Sequence, residues 1–185
     1  MAWFIIEHLD KKLYKWCLLE YKHIGQTVGK NNALFTNIKK NKNTIEKFAR
    51  ATNKRVSQLK LFNVCILDPE AKKQLTPKDA KKFDFFIFGG IMGDYPPRKR
   101  TREIKYNSAE RRNLGKAQMS TDTAVLVTKM IHDGMPIEKI KFQDKLTIPM
   151  KEGEEIELPY RYVLKNGKPV LPKGLLTMLK TQKGF

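Results

Sequence analysis

Phe85-Phe86-Ile87-Phe88-Gly89-Gly90-Ile91-Met92-Gly93-Asp94-Tyr95-Pro96-Pro97-Arg98-Lys99-Arg100 is the stretch on which the fold turns. Four apolar residues in an unbroken run read as a strand buried on both faces, the pattern of a parallel sheet. The glycines that follow let the backbone pass close to a ligand and take up unusual dihedrals. Asp94-Tyr95-Pro96-Pro97 is then a stiff, extended segment, because each proline fixes its own φ and restricts the residue before it. A second segment ends in the same way. Arg111 to Leu114 reads as a short strand, Gly115 as a turn, and Ser120-Thr121-Asp122-Thr123 as the polar entry to a helix. Two strand ends with glycine turns make two walls of one crevice, at the place where open α/β sheets bind ligands.

Outward from this point the chain alternates. Trp3 to Ile6, Ala33 to Ile38 and Val64 to Leu67 read as strands. Leu13, Trp16, Cys17, Leu18, Tyr21 and Ile24 have helical spacing, and Thr123 to Ile131 is a second amphipathic helix stopped by Gly134. Ile45 to Ala51 reads as a short basic helix capped by Thr44, and Thr76-Pro77 opens another through Lys82. Arg98 to Tyr106 reads as a helical turn at the surface. The alternation predicts an α/β domain over residues 1–136, with a mostly parallel sheet and helices on both faces. After Pro136 the character changes. Ile140 to Ile148, Glu155 to Leu158, Tyr160 to Leu164 and Pro169 to Leu171 read as short strands, with Asn166-Gly167 as a hairpin turn and Gly174 to Lys180 as a last helix. Residues 137–185 are thus expected to form a small β-rich appendage packed on the main sheet.

The 185 residues carry 37 basic and 19 acidic side chains, a net charge of +18. Such an excess favours an anionic partner, whether RNA, a ribosome or a membrane surface, against the plainer reading of a solvated lysine-rich surface. Arg98, Arg100, Arg102, Arg111 and Arg112 cluster beside the crevice, and arginine suits bidentate phosphate contacts. Cys17 and Cys65 have no zinc spacing, so no metal is expected; they read as reduced residues of a cytoplasmic protein. Ala2 to Ile6 is apolar but lacks the basic start and cleavage site of a signal peptide. No apolar run approaches the roughly 20 residues of a membrane helix, and no membrane partner is expected. There is neither a GxGxxG within a βαβ unit nor a Walker A motif. Among acids, Glu7 stands with His8 at the end of the first strand, and Asp94 and Asp122 stand beside the glycine loops. For Asp122 a first-turn acid at the positive end of a helix is the plainer role.

Phe88-Gly89-Gly90-Ile91-Met92-Gly93-Asp94, Pro96-Pro97-Arg98, Arg112-Asn113-Leu114-Gly115 and Gln118-Met119-Ser120-Thr121-Asp122-Thr123-Ala124, in that order, resemble the motifs of a SPOUT-class methyltransferase family. That family contains the fungal SPOUT protein-arginine methyltransferase and archaeal relatives described as RNA methyltransferases. Phe4-Ile5-Ile6-Glu7-His8 and Trp16-Cys17-Leu18-Leu19-Glu20-Tyr21 are similar too, so the likeness covers most of residues 2–134 and is weaker in the appendage. It implies a deep trefoil knot at the carboxyl end of the α/β domain and S-adenosyl-L-methionine bound among the knot loops. Phe88, Gly89, Gly90 and Gly93 would form one cofactor loop, Leu114 and Gly115 the next, and Met119, Ser120, Thr121 and Thr123 would close the pocket. SPOUT enzymes are commonly homodimers, whereas the fungal branch is thought monomeric, so either state is consistent with the resemblance.

Methyl transfer is an in-line displacement in which positioning supplies much of the catalysis. An arginine acceptor has a guanidinium pKa above about 12 and needs a carboxylate to orient it and take its proton; Glu7, Asp94 and Asp122 are the candidates. His8, Tyr95, Arg98, Arg100, Arg102 and Arg112 are the candidate substrate contacts. The first expectation is therefore an S-adenosylmethionine-dependent methyltransferase acting on an arginine of a ribosomal protein, in contact with RNA. A nucleotide of rRNA or tRNA is the alternative acceptor, and a non-catalytic basic RNA-binding module is the reading from another class.

Overall fold

The computed structural model describes residues 2–90, 99–150 and 154–181. Six parallel strands form the main sheet: β1 (Trp3–His8), β2 (Ala33–Thr36), β3 (Arg50–Ala51), β4 (Val64–Leu67), β5 (Phe85–Gly90) and β6 (Glu110–Arg112), in the order β3-β2-β1-β5-β4-β6. The order reverses between β1 and β5, whose residues run in register from Trp3 beside Phe85 to His8 beside Gly90. The apolar run Phe85 to Phe88 is thus the centre of the sheet, and both faces are buried there. Phe4, Ile6, Phe86 and Phe88 enter one core, and Ile5, Val64, Ile66 and Ile87 the other.

Helices cover both faces, but unequally. The first core is closed by α1 (Lys15–Val28), α2 (Lys42–Ile45), α3 (Pro77–Ala80) and α4 (Thr121–His132), which supply Tyr21, Ile24, Ile45, Ala80, Val127 and Ile131. The second is closed by 3-10 turns and loops, with Val56 and Ile104 pressed onto the sheet. The helix expected to open at Thr76-Pro77 does so, with the Thr76 hydroxyl accepting the Asp79 amide at 3.2 Å and Pro77 in the first turn, but it ends at Ala80 rather than Lys82. The basic helix expected over Ile45 to Ala51 does not form. One turn of helix ends at Ile45, Thr44 lies within that turn rather than capping it, and Arg50-Ala51 pairs with β2 as an edge strand. Pairing to the sheet overrides a weak local preference there.

The chain leaves β6 at the sheet edge and re-enters at the centre. Asn113 still bridges to Gln74 beyond β4, yet the Thr121 hydroxyl donates to the carbonyl of Gly89 at the end of β5, at 3.2 Å. Residues 114–120 therefore cross the carboxyl ends of β4 and β5, a re-entry of the kind the expected knot requires.

A separate antiparallel sheet holds β7 (Phe142–Pro149), β8 (Glu155–Lys165) and β9 (Lys168–Pro169), followed by α5 (Leu175–Thr181). Asn166 and Gly167 both have positive φ, 52° and 73°, as a two-residue hairpin demands. The two strands expected over Glu155 to Leu164 are one. Pro159 is tolerated because the ladder slips there: Leu158 opposes Leu146 and Arg161 opposes Asp144, so Pro159 and Tyr160 bulge against the single Lys145, whose φ is 61°. Tyr160, Tyr162, Leu175 and Met178 pack with Trp16 and Leu19, so this sheet rests on α1.

Candidate active site

A cavity of about 280 Å³ opens at the carboxyl ends of β4 and β5. Phe88 and Gly89 close one side, and Leu114 and Gly115 close the next, the latter in a genuine turn at φ +92°. Met119, Ser120 and Thr121, on the returning segment, form the third. These residues, far apart in the two sequence motifs, therefore share one pocket, as the two-wall reading requires. Ser120 caps nothing with its side chain; its hydroxyl donates to Thr123 Oγ1 at 2.9 Å. Thr123 is buried in the helix, away from the lining.

Gly90 plays a different part from the one the sequence suggested. It is still in β5, not in a turn, and it does not line the cavity. A Cβ there would stand 2.3 Å from the Tyr21 hydroxyl oxygen and 2.8 Å from Ile6 Cγ2. The residue is glycine so that α1 can approach the sheet. The Tyr21 hydroxyl in turn lies 2.8 Å from His8 Nδ1. Burial lowers the His8 pKa, and this edge-on pair holds the end of β1 against α1. His8 is thus a packing residue outside the cavity lining. Gly93, Asp94, Tyr95 and Arg98, the remaining expectations on the first loop, lie outside the described residues.

Strand parity decides the case of Glu7. Successive side chains point to opposite faces, so Glu7 faces away from His8, towards the core of Ile5 and Val56. It is 2% exposed, and its Oε2 accepts the Val56 amide at 2.9 Å and the Thr36 hydroxyl. This carboxylate pins the loop after β3 to the sheet and does not reach the cavity. Asp122 is also buried, in the first turn of α4, with Oδ2 2.7 Å from His23 Nδ1 on α1. It stands behind the cavity wall rather than in it.

The acid that does line the cavity is Glu20, on α1. Its side chain sits among Trp16, Met119 and Tyr160 as cavity-lining residues, and Trp16 Nε1 donates to its Oε1 at 2.8 Å. Burial first, and the neighbouring Asp122 charge second, push the Glu20 carboxyl well above the usual range. Among the described residues no cation pairs with it. Two buried acids thus act on one another here, and His23 is bonded to Asp122 rather than to Glu20. The sequence carried a signal for this residue. Glu20 falls on the apolar stripe of α1, four residues after Trp16 and four before Ile24, where a carboxylate is costly unless it has work to do.

The arginines beside the crevice are engaged within the protein. Arg112, 5% exposed, donates to Asp79 at 2.6 Å and Glu110 at 2.7 Å and lies over the Phe83 ring. Arg102 donates to Glu70 at 2.7 Å and Arg111 to Asp68 at 2.8 Å. Arg100 lines the cavity, but binds Asp10 at 2.7 Å and Glu103 at 2.9 Å. These pairs fix the segment after residue 98 to the loops after β1 and β4, and they leave Arg100, Arg102, Arg111 and Arg112 satisfied by carboxylates. Among the described residues no group of histidines, cysteines and acids is placed to hold a metal. Cys17 and Cys65 are buried free thiols, each pushed up to about 12 by burial.

Known proteins are similar to this chain in sequence and in fold. The profile of the SFM1-like protein arginine N-methyltransferases matches residues 3–184. The protein arginine N-methyltransferase SFM1 of Saccharomyces cerevisiae is 39% identical, over 96% of this chain and 93% of its own. The crystal structure of the yeast enzyme complexed with SAM superposes with a TM-score of 0.89 at 38% identity, covering 97% of this chain and 90% of that one. The dual specific Trm10 of Thermococcus kodakaraensis, at 19% identity and a TM-score of 0.60, shares the SPOUT fold over 75% of this chain and 96% of its own.

Proposed function

The chain belongs to the SFM1-like protein arginine N-methyltransferase family, and from that premise we propose that it transfers a methyl group from S-adenosylmethionine to an arginine of a ribosomal protein. The observation that carries the arginine is Glu20, a buried carboxylate lining the cavity with no cationic partner among the described residues. A guanidinium entering beside it would offset the burial and the Asp122 charge that act on Glu20.

The cavity suits the cofactor. Leu67, Phe88, Leu114 and Ala124 give an apolar lining for a flat base, Gly89 and Gly115 offer backbone groups, and the Ser120 and Thr121 hydroxyls stand beside them. When bound, S-adenosylmethionine supplies a methyl group activated on a sulfonium. The protein's part is placement and proton transfer. Glu20 ionises when a guanidinium pairs with it, because the cation reverses the penalty of burial. Trp16 holds one carboxylate oxygen, which leaves the other to orient the guanidinium. Trp16 and Tyr160 add aromatic faces suited to a delocalised cation. As the guanidinium nitrogen gains the methyl group it loses a proton, and Glu20 is the acceptor in place. The product stays cationic, so one proton is released for each methyl transferred.

Internal pairing of Arg100, Arg102 and Arg112 speaks against a nucleotide acceptor, which would need those groups for phosphate. The two free thiols support a reducing compartment, and we propose the cytoplasm. The test is methyl transfer from labelled S-adenosylmethionine into ribosomes and tRNA of the source organism, with products treated separately by protease and ribonuclease. Label that survives ribonuclease, runs with one ribosomal protein and is recovered as methylarginine is the expected result. Label lost to ribonuclease would overturn the arginine reading.

A further inference from the structure

At the end of the sheet opposite the cavity, four groups stand in a row on the face of Ile5 and Ile87. Phe62 is 68% exposed and meets Phe85 edge to face, with ring centres 5.9 Å apart. Phe85 pairs in register with Trp3, and the Arg50 guanidinium lies 5.1 Å from the centre of the Trp3 ring. Phe85 and Trp3 are half-buried, so the row keeps an open side. An exposed phenylalanine continuing into a ring pair and a stacked arginine contributes little to the core it borders, and the mechanism does not use it.

The parallel topology adds a second, independent feature. In a parallel sheet every loop that enters a strand lies at the same end. Lys30 precedes β2, Lys60 precedes β4, Lys81 and Lys82 precede β5, and Lys105 precedes β6; all are exposed, as is Arg50. The acids at this end are fewer than the bases: Asp79 pairs with Lys82 and Arg112, Glu110 with Arg112 and Glu46 with Lys42, and Asp84 accepts from the neutral Asn63 amide. The row of rings therefore lies within a ring of excess positive charge.

We propose that this aromatic row is a docking surface for single-stranded RNA, separate from the catalytic cavity. Bases have flat π-faces that stack on exposed rings whatever their sequence, and an arginine over a ring extends the stack. Phosphates spaced along the strand would meet the surrounding lysines. A protein substrate held at the cavity and an RNA held at the far end of the same sheet would be bound together, as they are presented by a ribonucleoprotein. The surface stands on its own residues and does not depend on the arginine reading of the cavity.

The probe is a fluorescein-labelled oligouridylate of about 12 nucleotides, within the span such surfaces cover, followed by fluorescence anisotropy with the full chain. The wild type should bind with an affinity that falls steeply with salt. Phe62→Ala should weaken binding about 10-fold, and Arg50→Gln should weaken it likewise. Lys165→Gln, on the hairpin of the small sheet, should change it little, and Phe62→Ala should methylate a free arginine peptide as the wild type does. Binding that is absent in the wild type, unchanged in both row variants, or reduced equally by Lys165→Gln would overturn the proposal. So would light scattering that shows a dimer dissolved by Phe62→Ala, which would assign the row to a second copy of the chain. The peptide assay is read separately, so a wild type that binds RNA but methylates no arginine would sink the catalytic reading alone.

Discussion

Asp122 Oδ2 lies 2.7 Å from His23 Nδ1, although the two residues stand 99 positions apart in the chain. The contact ties the first turn of α4 to the middle of α1. It leaves Asp122 Oδ1 buried without a hydrogen-bond partner among the described residues. An acid so placed acts on the cavity through its charge, which raises the Glu20 carboxyl. Asp122→Asn should therefore lower the Glu20 pKa and move the acidic limb of the kcat/KM profile to lower pH. A pH–rate profile of the variant checks this; a limb that stays where the wild type has it would remove Asp122 from the account.

Glu20→Gln should lower kcat by about 100-fold or more, the usual scale for loss of a proton acceptor. It should also stabilise the protein. Burial raises Glu20 in the folded state above its value in the unfolded chain, so the folded form holds the extra proton. Stability then falls as pH climbs from the ordinary carboxylate range through the folded value, and the glutamine removes that fall. A rise in Tm of about 2–4 °C at neutral pH, absent at acidic pH, is the expected signature in thermal scans of the two proteins.

Glu7→Gln should do the reverse. Its carboxylate accepts from Val56 and Thr36 and does not line the cavity, so stability should fall by about 1–2 kcal/mol while kcat keeps its wild-type scale. Urea melts beside a peptide assay distinguish this from a catalytic role, in which kcat would collapse at unchanged stability.

Gly90→Ala should cost about 1–3 kcal/mol through overpacking, because the new methyl meets the Tyr21 hydroxyl. Combining it with Tyr21→Phe should recover part of the loss, a coupling that a double-mutant cycle measures. If the two losses simply add, the glycine is required for another reason.

Arg112→Met should destabilise by about 1–3 kcal/mol, since it removes a buried guanidinium that bonds both Asp79 and Glu110. RNA affinity should hold, because this guanidinium is 5% exposed and faces carboxylates. A drop in oligouridylate binding at preserved stability would restore the phosphate role.

The apolar runs Phe85 to Phe88 and Val64 to Leu67 were legible because both sheet faces are buried and no alternation is needed to place them. The two loops of the cavity were legible for the same reason: in a parallel sheet, strand ends gather at one edge. Parity could also have been read. Glu7 and His8 are neighbours on one strand and cannot face one pocket together, a constraint that adjacency in sequence obscures. Glu20 was visible as a carboxylate on an apolar stripe, but a stripe is ordinarily core. The contact of Asp122 with His23, the internal engagement of Arg102 and Arg112, and the two-residue strand Arg50-Ala51 depend on pairings distant in sequence. No local pattern encodes them.

Among the described residues that line the cavity, Tyr160 is the last in the chain. The parallel sheet and α4 are complete before β8 is made, so a chain emerging from the ribosome folds its cofactor loops first and acquires the far wall last. Until β8 packs against α1, the cavity has its floor and cofactor loops but lacks the aromatic wall that Tyr160 supplies.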